Sequence, residues 1–238
     1  MNQNLQEQSF VLNNISLINH EEKFFTYCEQ HKLGKLRKND FGTQLADALA
    51  IAKPKALFRP VTIDHPDPQH VEIDKHRIES IVVKDNLNTL QHGYLYVVTC
   101  GREISAWRDQ FELAVNRYFA DVICEFAMRM AHTHLLEHIQ EAYHTSRLAW
   151  VNPGSTRGWL LEDQQLIFKL LGDVKSQIGV ELLESYFMMP VHSTSGLLFE
   201  SQHAYSNCQM CARENCPSRS TPYQGDAYEG IQDCTATP

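Results

Sequence analysis

The sequence predicts an α+β fold in which helices pack on a mixed or antiparallel twisted sheet. Three observations carry this expectation. Segments rich in β-branched residues cluster between Leu57 and Thr99, a long stripe at helical spacing follows, and further strands appear only after another helix. Strands and helices therefore do not alternate as a doubly wound sheet requires. With 238 residues, 43% hydrophobic and 10% aromatic, the chain has the composition of an ordinary globular protein that buries a core.

The opening ten residues are polar and read as loose, after which Glu21 to Gln30 has helical character. In Phe41 to Ala52 the residues Phe41, Leu45, Ala48, Leu49 and Ala52 recur at three- and four-residue intervals. Pro54 stops that helix. Val61 to Ile63, Val71 to Ile73 and Ile81 to Val83 read as short strands separated by turn formers such as Asp64-His65-Pro66-Asp67-Pro68. Tyr94 to Thr99 is a stronger strand, apolar on both faces, that ends at Cys100-Gly101.

From Phe111 through Val115, Phe119, Val122, Phe126, Met130 and on to His138 a single stripe predicts the central core helix. Trp150 to Trp159 reads as a loop, because it holds Asn152-Pro153-Gly154-Ser155 and Gly158. A helix from Leu160 to Ile178 follows, weakened at Gly172 and stopped at Gly179. Val180 to Met188 and Ser195 to Glu200 read as strands. The organisation expected is an N-terminal helical extension (1–39), a main α+β domain (40–206), a Cys-rich loop (207–219) and a flexible tail (220–238) poor in large apolar residues.

Charge and hydropathy exclude several classes. Lys and Arg number 21 against 29 Asp and Glu, a formal charge of −8, and the longest basic cluster is Lys32 to Lys38. Phosphate binding needs a concentrated basic surface, so nucleic acid is not expected as a partner. No run approaches the roughly 18 apolar residues of a membrane span, and residues 1–14 lack the pattern of a secretion signal. The expectation is a cytoplasmic protein with reduced thiols.

The seven cysteines divide into two groups. Cys28, Cys100, Cys124 and Cys234 are isolated, and Cys124 in Val122-Ile123-Cys124-Glu125-Phe126 reads as a small core hydrophobe. Cys208, Cys211 and Cys216 fall within nine residues. A Cys-x2-Cys knuckle brings two sulfurs to one ion, and a third sulfur four residues on closes over it; soft thiolates select zinc or an iron–sulfur cluster. A structural site needs a fourth ligand, for which Cys234, Cys100, a histidine such as His203, a bound small molecule or a partner are the sources, and the alternative is three reduced thiols on a surface loop. His134-Leu135-Leu136-Glu137-His138 matches the inverted zinc-protease pattern, but both histidines continue the core stripe and no third ligand is evident, so packing is the better reading. Pro153-Gly154 forms a turn whose backbone a ligand can approach closely. Phosphate-loop and nucleophile-elbow patterns are absent.

Taken together, Asn152-Pro153-Gly154, Trp159, Gln164, Ile167 to Leu171, the run Ile178-Gly179-Val180-Glu181-Leu182-Leu183-Glu184-Ser185-Tyr186-Phe187-Met188-Met189-Pro190 and Ser193-Thr194-Ser195-Gly196 resemble the activation domain of cobalamin-dependent methionine synthase. Ala48 to Pro54, Val97 to Gly101 and the Cys208, Cys211, Cys216, Arg219 pattern resemble free-standing members of that family. The resemblance spans about residues 40–220.

It implies an accessory protein for a cobalamin-dependent methyltransferase or other corrinoid-binding protein. The partner's cobalamin lapses from Co(I) to Co(II), and methyl transfer from S-adenosylmethionine draws the uphill reduction forward. Such a protein works by positioning rather than acid–base chemistry. The resemblance places S-adenosylmethionine on the backbone of Pro153 and Gly154, flanked by Asn152, Ser155 and Arg157, with Glu184, Ser195 and Gly196 near the supporting sheet. The family has an Arg four residues before that Gly and a Tyr after it, where this chain has Trp150 and Ser155. Arg147 or Arg157 is then the candidate partner for the donor's carboxylate. The Cys208, Cys211 and Cys216 loop, holding an iron–sulfur cluster or zinc, would deliver electrons, or in the alternative would stabilise a non-catalytic interaction module.

Overall fold

The structure is a computed structural model that describes residues 8–31, 44–67, 70–87, 89–155, 159–201, 205–209, 211, 213, 216 and 221–223. Expectations for Phe41, Arg157, Gly158, His203, Cys234 and most of the tail lie outside these residues. In chain order the elements are β1 (Phe10–Leu12), α1 (Glu21–Gln30), α2 (Gln44–Ile51), β2 (Lys55–Asp67), β3 (His70–Ile73), β4 (His76–Ile78), α3 (Ile81–Leu87), β5 (His92–Thr99), α4 (Arg102–Arg108) and α5 (Ala114–Tyr143). There follow β6 (Leu148–Val151), a short 3-10 turn, α6 (Gln164–Leu171), α7 (Val174–Ile178), β7 (Glu181–Leu182), β8 (Met188–Met189) and β9 (Ser193–Glu200).

Each strand pair among the described residues is antiparallel, which resolves the mixed-or-antiparallel expectation. The main sheet runs β4-β3-β2-β5-β9-β6, with β1 added beside β2. At its centre β5 alternates its side chains strictly. Tyr94, Tyr96 and Val98 enter a core formed with α1, α2, α4 and α5, whereas Leu95 and Val97 enter a second core with α3, α6, α7 and Trp159. Both faces of the sheet are covered by helices, so β5 is apolar on both sides for a physical reason. Phe10 pairs with Phe58 across β1 and β2, and Phe24 of α1 is wholly buried, so β1 and α1 share the first core.

Three departures from the sequence reading have local causes. Ile81 to Val83 is helical, not a strand: Ser80 accepts the Val83 N–H on its hydroxyl at 3.2 Å and the Lys84 N–H on its carbonyl at 2.9 Å, and this cap outweighs β-branched preference. Val180 to Met188 is not one strand but the hairpin β7–β8, because Tyr186 adopts φ 62° and its N–H bonds the Leu183 carbonyl at 2.9 Å. Trp150 and Val151 belong to β6 rather than to a loop, paired with Leu198 and Leu197. The helix expected from Phe111 begins at Ala114 and runs 30 residues, and the expected helix from Leu160 is interrupted at Gly172. No helix among the described residues is long and apolar enough to cross a membrane.

Gly101 joins β5 to α4 at φ 95°, and a Cβ there would collide with the Lys53 carbonyl. Gly101→Ala should therefore lower the free energy of unfolding in urea by about 2–3 kcal/mol, from left-handed strain and the backbone clash together.

Candidate functional site

The site is built where β6 runs out beside β9. Asn152 follows the last residue of β6, is 8% exposed, and directs its amide back over the sheet. Its Nδ2 donates to the Ser195 carbonyl at 2.6 Å and the Tyr96 hydroxyl at 2.7 Å, with Thr194 Oγ1 at 3.3 Å. Its Oδ1 accepts from Asn207 Nδ2 at 2.6 Å. A Cβ on Gly196 would stand 2.6 Å from that Nδ2 and 2.5 Å from the Val151 carbonyl, so Gly196 is what admits the amide. Ser195 donates its hydroxyl to Gln164 Oε1 at 2.9 Å, and Gln164 Nε2 in turn donates to the Tyr186 carbonyl at 2.9 Å. This chain of buried bonds ties β5, β6, β9, α6 and the β7–β8 hairpin to one point.

The Pro153-Gly154 turn expected from sequence is present. Gly154 has φ 74°, its N–H bonds the Trp159 carbonyl at 2.8 Å, and the Ser155 N–H bonds the Asn152 carbonyl at 3.2 Å. Two cavities open at this turn and share Asn152 and Thr194 in their walls. The smaller, about 190 Å³, has Pro153, Ser155, Gln164, Phe187, Ser193 and Ser195 among its lining residues, and none of the described lining residues is charged. The larger, about 680 Å³, lies between α1, α5 and the sheet and is lined by aromatic and charged groups, among them Tyr27, Arg129, His132 and Trp150.

Trp150 occupies an outer position of β6 and meets the His132 ring edge-on at 4.8 Å; Tyr96 lies 5.2 Å from the same imidazole. Burial in this apolar wall, with the Arg129 charge adding to it, lowers the His132 imidazole to about 4, and its Nε2 has no hydrogen-bond partner among the described residues. Burial likewise pushes the Tyr96 phenol well above its ordinary value. Arg129 pairs with Glu125 at 2.9 Å and lies 5.8 Å from the centre of the Tyr27 ring.

Among the residues singled out from sequence, Asn152, Pro153, Gly154, Ser155, Ser195 and Gly196 are brought together. Glu184 is not: it sits exposed in the β7–β8 turn and lines neither cavity. Arg147 is exposed at the entry to β6 and lines neither cavity, and Arg157 lies outside the described residues. Cys208, Cys211 and Cys216 are each partly buried, yet among the described residues their sulfurs do not form a compact three-ligand set. His134 and His138 form none either, and His138 packs edge-on against Phe58 at 5.6 Å, as the packing reading expects. Tyr96, Arg129 and His132 escaped the sequence reading. The visible signal was polar residues within apolar stripes, as at Tyr96 between Leu95 and Val97.

The family model described as vitamin B12 dependent methionine synthase, activation domain, matches residues 69–219, well over half of the chain. Among curated proteins none matches this sequence. Among solved structures, the MetH reactivation domain bound to AdoHcy is similar with a TM-score of 0.59 at 14% identity, over 85% of this chain and 82% of that one. At that identity the likeness is one of fold.

The depressed His132 imidazole makes a pH prediction. Its folded value of about 4 lies below its ordinary 6.5, so between these values the unfolded chain binds more protons. Stability is full above about pH 6.5 and falls as pH drops towards 4. His132→Leu should make that slope shallower by up to about 1.4 kcal/mol per pH unit in urea titrations.

Proposed function

The chain belongs to the family of vitamin B12-dependent methionine synthase activation domains, and from that premise we propose that it assists reductive reactivation of a cobalamin-dependent methyltransferase by holding S-adenosylmethionine at the Asn152 turn. The observation that carries this reading is the pair of cavities meeting at Asn152 and Thr194 beside the Pro153-Gly154 backbone. The related reactivation domain is bound to AdoHcy, the demethylated form of the same ligand.

The residues fit such a ligand. The smaller cavity lies below the roughly 300 Å³ lower end for pockets that enclose a whole small molecule, while the larger lies within that range. A pocket walled by Phe187 and Met188, with Asn152, Gln164, Ser193 and Thr194 at its edges, suits a purine ring and its hydrogen-bonding groups. Next to it, the aromatic faces of Trp150 and Tyr27 suit a sulfonium cation. Arg129, with Lys23 nearby on α1, supplies the cation for the ligand's carboxylate that the family's Arg would supply and that Trp150 cannot. The bound donor supplies a methyl group with its positive charge to reduced cobalt of the partner's cobalamin, which makes an unfavourable one-electron reduction irreversible. What this chain contributes is orientation: Asn152 fixes the turn, and Arg129 and Trp150 fix the donor.

The alternative, a zinc-stabilised interaction module, gains no support from Cys208, Cys211 and Cys216, whose sulfurs are not gathered among the described residues. We assign no electron-transfer step to that segment. Asn207, bonded to Asn152 Oδ1, instead tethers it to the turn.

Calorimetric titration of the full chain with S-adenosylmethionine tests the reading. Binding is expected, weakened about 10- to 100-fold by Arg129→Ala through loss of a charge-assisted contact worth roughly 1.5–3 kcal/mol. Mixing with an inactivated Co(II) methyltransferase, reductant and the same donor should yield methyl-cobalt. No heat and no thermal shift in the folded chain would remove the donor role.

A further inference from the structure

On the α5 side of the sheet the structure gathers a second set of groups. Cys100 directly follows β5, Cys124 lies on the buried face of α5, and His192 immediately precedes β9. One ligand atom from each lies within 4.8 Å of the others. Both cysteines are fully buried. The sequence reading places Cys124 in the core from its apolar neighbours, and nothing in the spacing joins it to Cys100 or His192, since 24 residues and then 68 separate the three positions along the chain.

From this arrangement we infer that Cys100, Cys124 and His192 form a binding site for a single zinc ion. The imidazole is oriented for it. His192 Nε2 faces Asp121 Oδ1 at 3.6 Å, which leaves Nδ1, buried and without a hydrogen-bond partner among the described residues, for the metal. A carboxylate facing the other nitrogen of a metal-bound histidine is the usual outer-shell arrangement at zinc sites, and Arg108 Nε fixes that carboxylate at 2.6 Å. The Cys100 N–H bonds the His192 carbonyl at 3.0 Å, so the backbone already fixes two of the three ligands to each other.

Charge selects the ion. Two thiolates and a neutral imidazole carry −2, which a divalent cation cancels and a monovalent one does not, and an uncompensated charge in a fully buried setting is costly. Thiolate with imidazole excludes magnesium and calcium, which take oxygen ligands. Ligand atoms this close converge on one ion rather than spread over the corners of a cluster. Three protein ligands leave a fourth tetrahedral position for water. The hydrogen bond to Cys100 and burial push the Cys124 thiol well above its ordinary value, so a metal there would displace the Cys124 proton.

The site has a consequence for the cleft. His192 lies between Val191 and Ser193, both of which line the smaller cavity, so an ion there anchors one cavity wall to α5. The inference stands independently of what the cavities bind.

The test uses the full chain with Cys208, Cys211, Cys216 and Cys234 all changed to Ser, kept reduced, stripped with chelator and titrated with Co(II) as an optical stand-in for zinc. One equivalent should produce a thiolate-to-cobalt charge-transfer band that zinc abolishes, and zinc should raise the melting temperature. Adding Cys124→Ala should remove the band. Adding His192→Asn, which leaves both core cysteines in place, should weaken cobalt at least tenfold. A folded four-Ser chain with neither band nor thermal shift overturns the inference, as does a band unchanged by Cys124→Ala, or zinc binding confined to the chain that retains Cys208, Cys211 and Cys216.

Discussion

The arrangement at the end of β6 depends on one buried side-chain amide. Asn152 satisfies a hydroxyl on β5, a carbonyl on β9 and a donor from the Cys-rich segment, all at 2.6–2.7 Å. An amide can do this because it carries two donors and two acceptor sites on one plane, and a buried group left unpaired costs about 1–3 kcal/mol. The geometry has a steric condition, met by Gly196: any side chain there would occupy the place of the amide nitrogen. Two residues 44 positions apart in sequence are therefore one structural device, a polar group and the gap that receives it.

From that point the start of β9 distributes its residues with little redundancy. His192 turns toward α5 and the two buried cysteines; Ser193 donates to Thr99 Oγ1 at 2.9 Å; Thr194 stands in the walls of both cavities; Ser195 reaches Gln164. Strand alternation makes this possible, since successive residues face opposite layers of the sandwich. A displacement of β9 by one residue would invert all four assignments and place Leu197 and Leu198 in each other's cores. The register, held across six pairs with β5, is what keeps the two layers distinct.

Much of this was legible in sequence where the signal is periodic or where a residue type is demanded by the backbone. Helix α1 matches its expected bounds, β5 was evident as a strand apolar on both faces, and the Pro153-Gly154 turn follows from its residues. Illegible were features that rest on long-range contacts. The capping of α3 by Ser80 defeated β-branched propensity, and β1, β4 and β6 are strands of three or four residues whose character comes from their partners. The clustering of Cys100, Cys124 and His192 is a product of topology alone, whereas the compact spacing of Cys208, Cys211 and Cys216 suggested a ligand set that the described structure does not gather. Short spacing in sequence permits convergence but does not enforce it.

The electrostatics of the larger cleft bear on the proposed donor. A sulfonium is a cation, so a wall containing protonated imidazole would oppose it. His132 avoids this because burial keeps its ring neutral down to about pH 4, and the Tyr96 phenol is held in its neutral form by the same cause. The Arg129 charge is offset by Glu125 and directed over Tyr27. In the proposed complex, a neutral aromatic wall beside the Glu125-paired Arg129 would separate the two ends of the ligand: the sulfonium by the rings, the carboxylate by the guanidinium. Replacing the family's Arg by Trp150 then moves the cation from β6 to α5 and leaves an aromatic surface in its place. Under the proposed donor role, Arg129 on α5 would supply the charge that the resemblance expects from β6.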